Sequence, residues 1–167
     1  MQTENLSNKE AIEKMTKLVQ DIKTAFLLTD LKKQPINAVP MLTKRVDEQG
    51  NIWFLSLLDS EHNSNIEKDP QVQLLYSDPS NNEFLSLAGN ASIESDKDLL
   101  ANFDISEDDT WFKDADMSKY SSIKIVPKEA YFWDSSRNKL NKTFEFGESD
   151  DKSENSDRNE KKGKLTL

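Results

Sequence analysis

Apolar residues near the start of the chain recur at Ile12, Met15, Val19 and Ile22, drawing one stripe along a helix that ends near Lys23. Ser7-Asn8-Lys9-Glu10 ahead of it matches a capping box, in which Ser and Glu side chains satisfy orphan backbone donors. The pattern then changes to short apolar runs. Thr24–Thr29 reads as a strand broken by the polar turn 30–34, and 35–46 as a second extended run. Ile52–Leu58 returns after Asp47-Glu48-Gln49-Gly50-Asn51, where the glycine supplies the positive φ of a hairpin loop. Asp59-Ser60 caps a short helix over Glu61–Lys68 that stops before Asp69-Pro70. Val72–Tyr76 and Glu83–Glu94 are strands, and Gly89 inside the second marks a bulge or a close backbone approach. Asp96-Lys97-Asp98 opens a short helix carrying Leu99, Leu100 and Phe103, and Ser106–Phe112 forms a further helical turn. Ser122–Val126 and Glu129–Trp133 are the last two strands, separated by Pro127-Lys128.

Six or seven short strands in meander order, with small helices at the start and after the third and fifth strands, predict a mainly β (α+β) fold. Long strand–helix alternation is missing, which argues against a doubly wound parallel sheet and for an antiparallel barrel with helical additions.

With 167 residues the chain suits one domain. Hydrophobic residues make up only 35 %, low for a globular domain, and part of the deficit lies in residues 148–167. Six acids and five bases nearly cancel there, and apolar residues occur only at its very end, so this stretch is expected to be a disordered charged tail behind a domain of residues 1–147. Of the net charge of −9, the tail carries only −1, so the acidity belongs to the domain, at −8. It argues against binding nucleic acid or anionic membranes, both polyanionic. The opening MQTENLSNKE lacks the apolar core of a signal peptide and no run is long enough to span a membrane, so a cytoplasmic protein is expected.

Candidate chemistry is sparse. Without cysteine there is no disulfide, thiolate nucleophile or Cys-based metal site, and the single histidine, His62, excludes multi-histidine metal sites. Four glycines form no GxGxxG or P-loop pattern, and no serine stands in a GxSxG turn. The carboxylates of residues 107–109, 114 and 116 lack the spacing of a calcium loop and read as a solvated face. Trp53, Trp111 and Trp133 offer planar faces that suit a ligand, the core or a dimer interface.

A resemblance enters at residues 38–91. Ala38-Val39-Pro40-Met41, Gly50-Asn51-Ile52-Trp53-Phe54, Asp59-Ser60, Asn65-Ile66-Glu67-Lys68-Asp69-Pro70 with Gln71-Val72-Gln73-Leu74-Leu75-Tyr76, and Leu87-Ala88-Gly89-Asn90-Ala91 occur in that order. Together with the closing Ala130-Tyr131-Phe132-Trp133-Asp134, this resembles the general stress protein branch of the pyridoxamine 5'-phosphate oxidase-like family over roughly residues 8–136. The resemblance implies a six-stranded antiparallel split β-barrel with short flanking helices, forming a homodimer that in many members holds FMN in clefts between subunits. The implied cofactor-binding positions are Val39, Met41, Thr43 and Lys44 on one strand, Trp53, Phe54, Leu55 and Ser56 on its hairpin partner, and Ser60 and His62 beyond it.

Two of these depart from the family pattern. Members usually carry Arg where this chain has Val39, and Lys where it has His62, with Glu61 adding negative charge beside it. Arg45 does not replace the missing guanidinium, lying about 20 Å from Val39 along the same strand face. Lys44 points to the opposite face unless a bulge intervenes. Weak FMN binding is therefore expected, with no catalytic residue assigned. The resemblance implies an FMN-binding stress protein with oxidoreductase chemistry. The alternative is a non-enzymatic dimeric module that has lost FMN or takes another small molecule in the interface cleft. True pyridoxamine phosphate oxidation is not expected, because a substrate phosphate would demand still more cations.

Overall fold

In the computed structural model, residues 2–3, 6–103, 116–135 and 160–167 are described. Two short strands, β1 (Gln2–Thr3) and β2 (Leu6–Ser7), lead into α1 (Asn8–Ile22), whose Ala11, Met15, Leu18 and Val19 are fully buried. The side chains of Ser7 and Asn8 lie outside the described residues, and with them the expected capping box. Then come β3 (Thr24–Thr29), β4 (Asn37–Val46) and β5 (Ile52–Leu57), followed by α2 (Glu61–Lys68). The strands β6 (Gln71–Asp78) and β7 (Glu83–Glu94), the short helix α3 (Lys97–Ala101), a 3-10 turn (Met117–Lys119), β8 (Tyr120–Ser135) and β9 (Glu160–Thr166) complete the described chain.

Six strands close a barrel in the order β8-β5-β4-β3-β6-β7 and back to β8, every pairing antiparallel. Closure removes the two open edges that a flat six-stranded sheet would present. Leu27, Met41, Ile52, Phe54, Leu74, Tyr76, Leu85, Leu87, Ile123 and Phe132 fill the interior. The helices α1 and α2 cover opposite ends. Ile12 and Met15 of α1 pack on Gly50, in the turn before β5, whereas α2 follows the end of β5 and buries Asn63 and Ile66. Gly50 has φ +82°, the conformation the hairpin loop required.

Both readings of Gly89 hold. The β7–β8 register shifts between Ala88 and Gly89, and a Cβ on Gly89 would sit 2.6 Å from the Val126 carbonyl oxygen. Residue 128 is passed over in that pairing, which absorbs the proline break. The two strands expected around Pro127 are consequently one, β8. On its other edge, β5 pairs as far as Ile125 and β9 starts at Glu129, so Pro127 falls between the two neighbours and its missing N–H interrupts neither ladder.

The expected disordered tail requires correction over residues 160–167. Glu160–Thr166 form β9, a seventh strand outside the barrel, antiparallel to the second half of β8 and parallel to β1 and β2. Leu165 is fully buried, and Lys164 pairs with Glu129 at 2.5 Å. Averaging charge over twenty residues concealed a seven-residue strand with one apolar anchor. Residues 148–159 lie outside the described residues, as do the expected turn at 106–112 and Trp111.

Candidate functional site

The end of β5 and the start of α2 hold a connected cluster of polar side chains. Ser60 is the α2 N-cap, its Oγ accepting from the Asn63 N–H at 3.3 Å. Asn63 turns inward on the α2 face that also buries Ile66, and its Nδ2 donates to the Leu57 carbonyl at 3.0 Å and to Ser121 Oγ of β8 at 2.9 Å. Ser56 Oγ donates to Asn63 Oδ1 at 2.8 Å and lies 2.7 Å from His62 Nε2 and 3.2 Å from Ser60 Oγ. Asn65 adds a bond from Nδ2 to Thr29 Oγ1 at 3.1 Å. These bonds tie α2 to the barrel lip through β3, β5 and β8. Burial holds the His62 imidazole below its ordinary value, with the Glu61 carboxylate pulling the other way.

The ten positions carried over from the resemblance fall into separate places. Ser56, Ser60 and His62 meet at this lip. Val39, Met41 and Phe54 pack in or against the barrel core, and Thr43 Oγ1 shares a 2.8 Å hydrogen bond with the buried Tyr76 hydroxyl. Trp53 and Leu55 face the opposite way, into a second cluster with Leu100, Phe103 and Tyr120. Lys44 is the residue passed over where the β4–β5 register shifts between Thr43 and Arg45.

That bulge overturns the expected position of Arg45. Instead of continuing the Val39 face, its guanidinium lies 5.0 Å over the Trp53 ring and 5.5 Å from Phe103. Lys124 lies 5.5 Å from the same indole, and the Trp53 Nε1–H donates to Asp47 at 2.9 Å. Trp53 is thus occupied by protein groups. Trp133 remains 40 % exposed on the outer barrel wall.

Two backbone donors complete the lip. Glu61 N–H and His62 N–H, in the first turn of α2, have no hydrogen-bond partner among the described residues. These first-turn donors form a set suited to a phosphate, and His62 would add a donor to it only when its imidazole is protonated. No strand residue of the carried-over set joins that lip to a planar surface within one subunit, so the set fits the phosphate end of FMN and leaves the ring to another surface. Sequence reasoning missed Asn63, Ser121, Tyr76 and Asp47. Asn63 carried a usable signal, a polar residue three positions before Ile66 on the apolar face of a short helix. The others act through partners distant in sequence.

A closed six-stranded antiparallel barrel with a polar lip at one end defines a small split-barrel protein. Residues 10–157 match the model of the pyridoxamine 5'-phosphate oxidase like proteins, and the chain belongs to that family. Among solved structures it is similar to general stress protein 26 from Bacillus anthracis (25 % identity, TM-score 0.62, covering 72 % of this chain and 92 % of that one). It is also similar to the general stress FMN/FAD binding protein from Xanthomonas citri (19 %, TM-score 0.64, 84 % and 100 %). A third is the Clostridium acetobutylicum protein related to general stress protein 26 (14 %, TM-score 0.63, 76 % and 90 %). No curated protein matches the chain. Among the described residues no helix is long and apolar enough to cross a membrane.

Proposed function

We propose that this protein is a homodimeric, cytoplasmic flavin-binding protein of the general stress type, holding FMN at the subunit interface with its phosphate at the α2 lip. The observation that carries this reading is the lip itself, where two first-turn backbone N–H groups without a partner among the described residues and the imidazole of His62 adjoin a buried Ser56–Asn63–Ser121 anchor. The family supports it, as does the likeness to a protein described as FMN/FAD binding. Bound flavin would supply electron-transfer chemistry, and the protein would contribute orientation and phosphate contacts.

The ring needs an apolar surface, and the outer wall of the barrel offers one. Phe26 of β3 and Leu75 of β6 are cross-strand neighbours and are 53 % and 38 % exposed. Tyr131 and Trp133 of β8 extend the exposed wall beyond β7. A second subunit covering this wall would enclose a planar ligand between two faces. The decisive experiment is an FMN titration followed by flavin fluorescence, paired with sedimentation. Saturable binding to a dimer is the expected result, and absence of binding by both FMN and riboflavin would favour the alternative of a module without flavin.

A further inference from the structure

The hydrogen bonds of Asn63 determine where His62 carries its proton. Because Nδ2 is committed to the Leu57 carbonyl and Ser121 Oγ, the atom facing Ser56 is Oδ1, which only accepts. Ser56 has one hydroxyl proton and gives it to this oxygen at 2.8 Å, in preference to the Leu57 carbonyl at 3.3 Å. Its lone pairs then face His62 Nε2 at 2.7 Å, a separation that requires a proton between the two atoms. Nε2 must supply it. The neutral imidazole is therefore the Nε2–H tautomer, and a second proton goes to Nδ1, which has no hydrogen-bond partner among the described residues. Protonation consequently adds a positive charge at the lip without breaking the anchor.

The surroundings of His62 sharpen the consequence. Ser56 from β5 and Ser121 from β8, which close the anchor, are uncharged, and Glu61 on α2 is the charged group whose field acts on the ring. We propose that His62 makes binding at this lip proton-linked: protonated at Nδ1 it is the cation that holds the phosphate of the flavin, and neutral it supplies no charge. This rests on the flavin reading above and adds its regulation. A resident phosphate would raise the affinity of Nδ1 for a proton, and by linkage each proton bound would tighten the phosphate. The phosphate itself becomes monoanionic near pH 6, so the effect is read between pH 8 and pH 6.

The single histidine makes the test clean, since histidine-labelled protein gives one set of imidazole resonances. Nitrogen shifts are expected to report Nε2–H in the neutral form, and the Nδ1–H tautomer would overturn the inference. FMN affinity is expected to rise about tenfold from pH 8 to pH 6, the scale of one charge-assisted hydrogen bond. Riboflavin, without phosphate, should show no such slope. His62→Gln, which keeps an amide donor toward Ser56, should flatten the FMN slope. FMN binding of constant strength across this range in the unaltered protein overturns the proton linkage and leaves the flavin reading standing. If neither flavin binds at any pH, the flavin reading falls. The linkage then stands only if inorganic phosphate raises the His62 titration midpoint, and an unmoved midpoint overturns it.

Discussion

Leu165 of β9 is fully buried opposite Ala130 of β8, joining a segment with three lysines to the barrel core. Through this residue the end of the described chain contributes to the fold. Ending the chain after Gly147 removes that anchor, the Lys164–Glu129 pair and the cover on the second half of β8. Leu165→Ala alone should cost about 3 kcal/mol, and truncation should lower the melting temperature by about 10 °C for a chain of this size. Calorimetry of the truncated and full chains checks this. Unchanged melting would show that β9 does not support the barrel.

The barrel was legible because its strands are short apolar runs bounded by turn chemistry. Thr24–Thr29, Glu61–Lys68 and Glu83–Glu94 follow directly from Asp30, Ser60 and the Asp78-Pro79 break. The site was less legible, for a physical reason. One extra residue at Lys44 turns Arg45 away from the Val39 face, and no local pattern announces a bulge whose cause is the pairing with β5. Likewise Pro127 reads as a break until both neighbours of β8 are known. The lip depends on Asn63 meeting Ser121, 58 positions later, a contact that only the closed barrel creates.

Asp47 accepts four hydrogen bonds, from the N–H groups of Gln49 and Asn51, the Asn51 side chain and Trp53 Nε1. Desolvation works to raise its carboxyl, but these bonds together hold it below the ordinary carboxylate value. A folded value below the unfolded one contributes stability that is present above about pH 4 and is lost as pH falls through the lower folded value. Asp47→Ala should cost about 2 kcal/mol at neutral pH. It should also flatten the acid side of the stability profile and change Trp53 fluorescence. Urea unfolding at pH 7 and pH 3 measures both effects, and equal losses at the two pH values would contradict the assignment.

Inside the barrel, Tyr76 and Thr43 satisfy each other through a single 2.8 Å hydrogen bond. Burial pushes the Tyr76 phenol well above its ordinary value, with the Thr43 bond opposing, so it stays neutral throughout the physiological range. Tyr76→Phe should destabilise by about 1–2 kcal/mol because Thr43 is left unpaired. Thr43→Val introduced with it should recover much of that loss, since two apolar partners leave no orphan. A double-mutant cycle by chemical denaturation tests this. Strict additivity would mean that the pair does not interact.

Phe26 and Leu75 lie side by side on the outer wall and touch solvent in the isolated subunit, so their apolar surface has a role only if something covers it. If that cover is a second subunit, replacing both by serine removes two anchors from the centre of the interface while leaving the interior face of β3 and β6 untouched. Exposed positions of this kind usually change stability by about 0.5 kcal/mol or less, whereas a buried interface aromatic can contribute 2 kcal/mol or more. Phe26→Ser with Leu75→Ser should therefore leave the folded subunit intact by circular dichroism and shift sedimentation from dimer to monomer. Flavin affinity should fall in parallel, because the ring loses the surface that the partner supplies. A double variant that remains dimeric and binds flavin as before would place the interface on another face of the barrel.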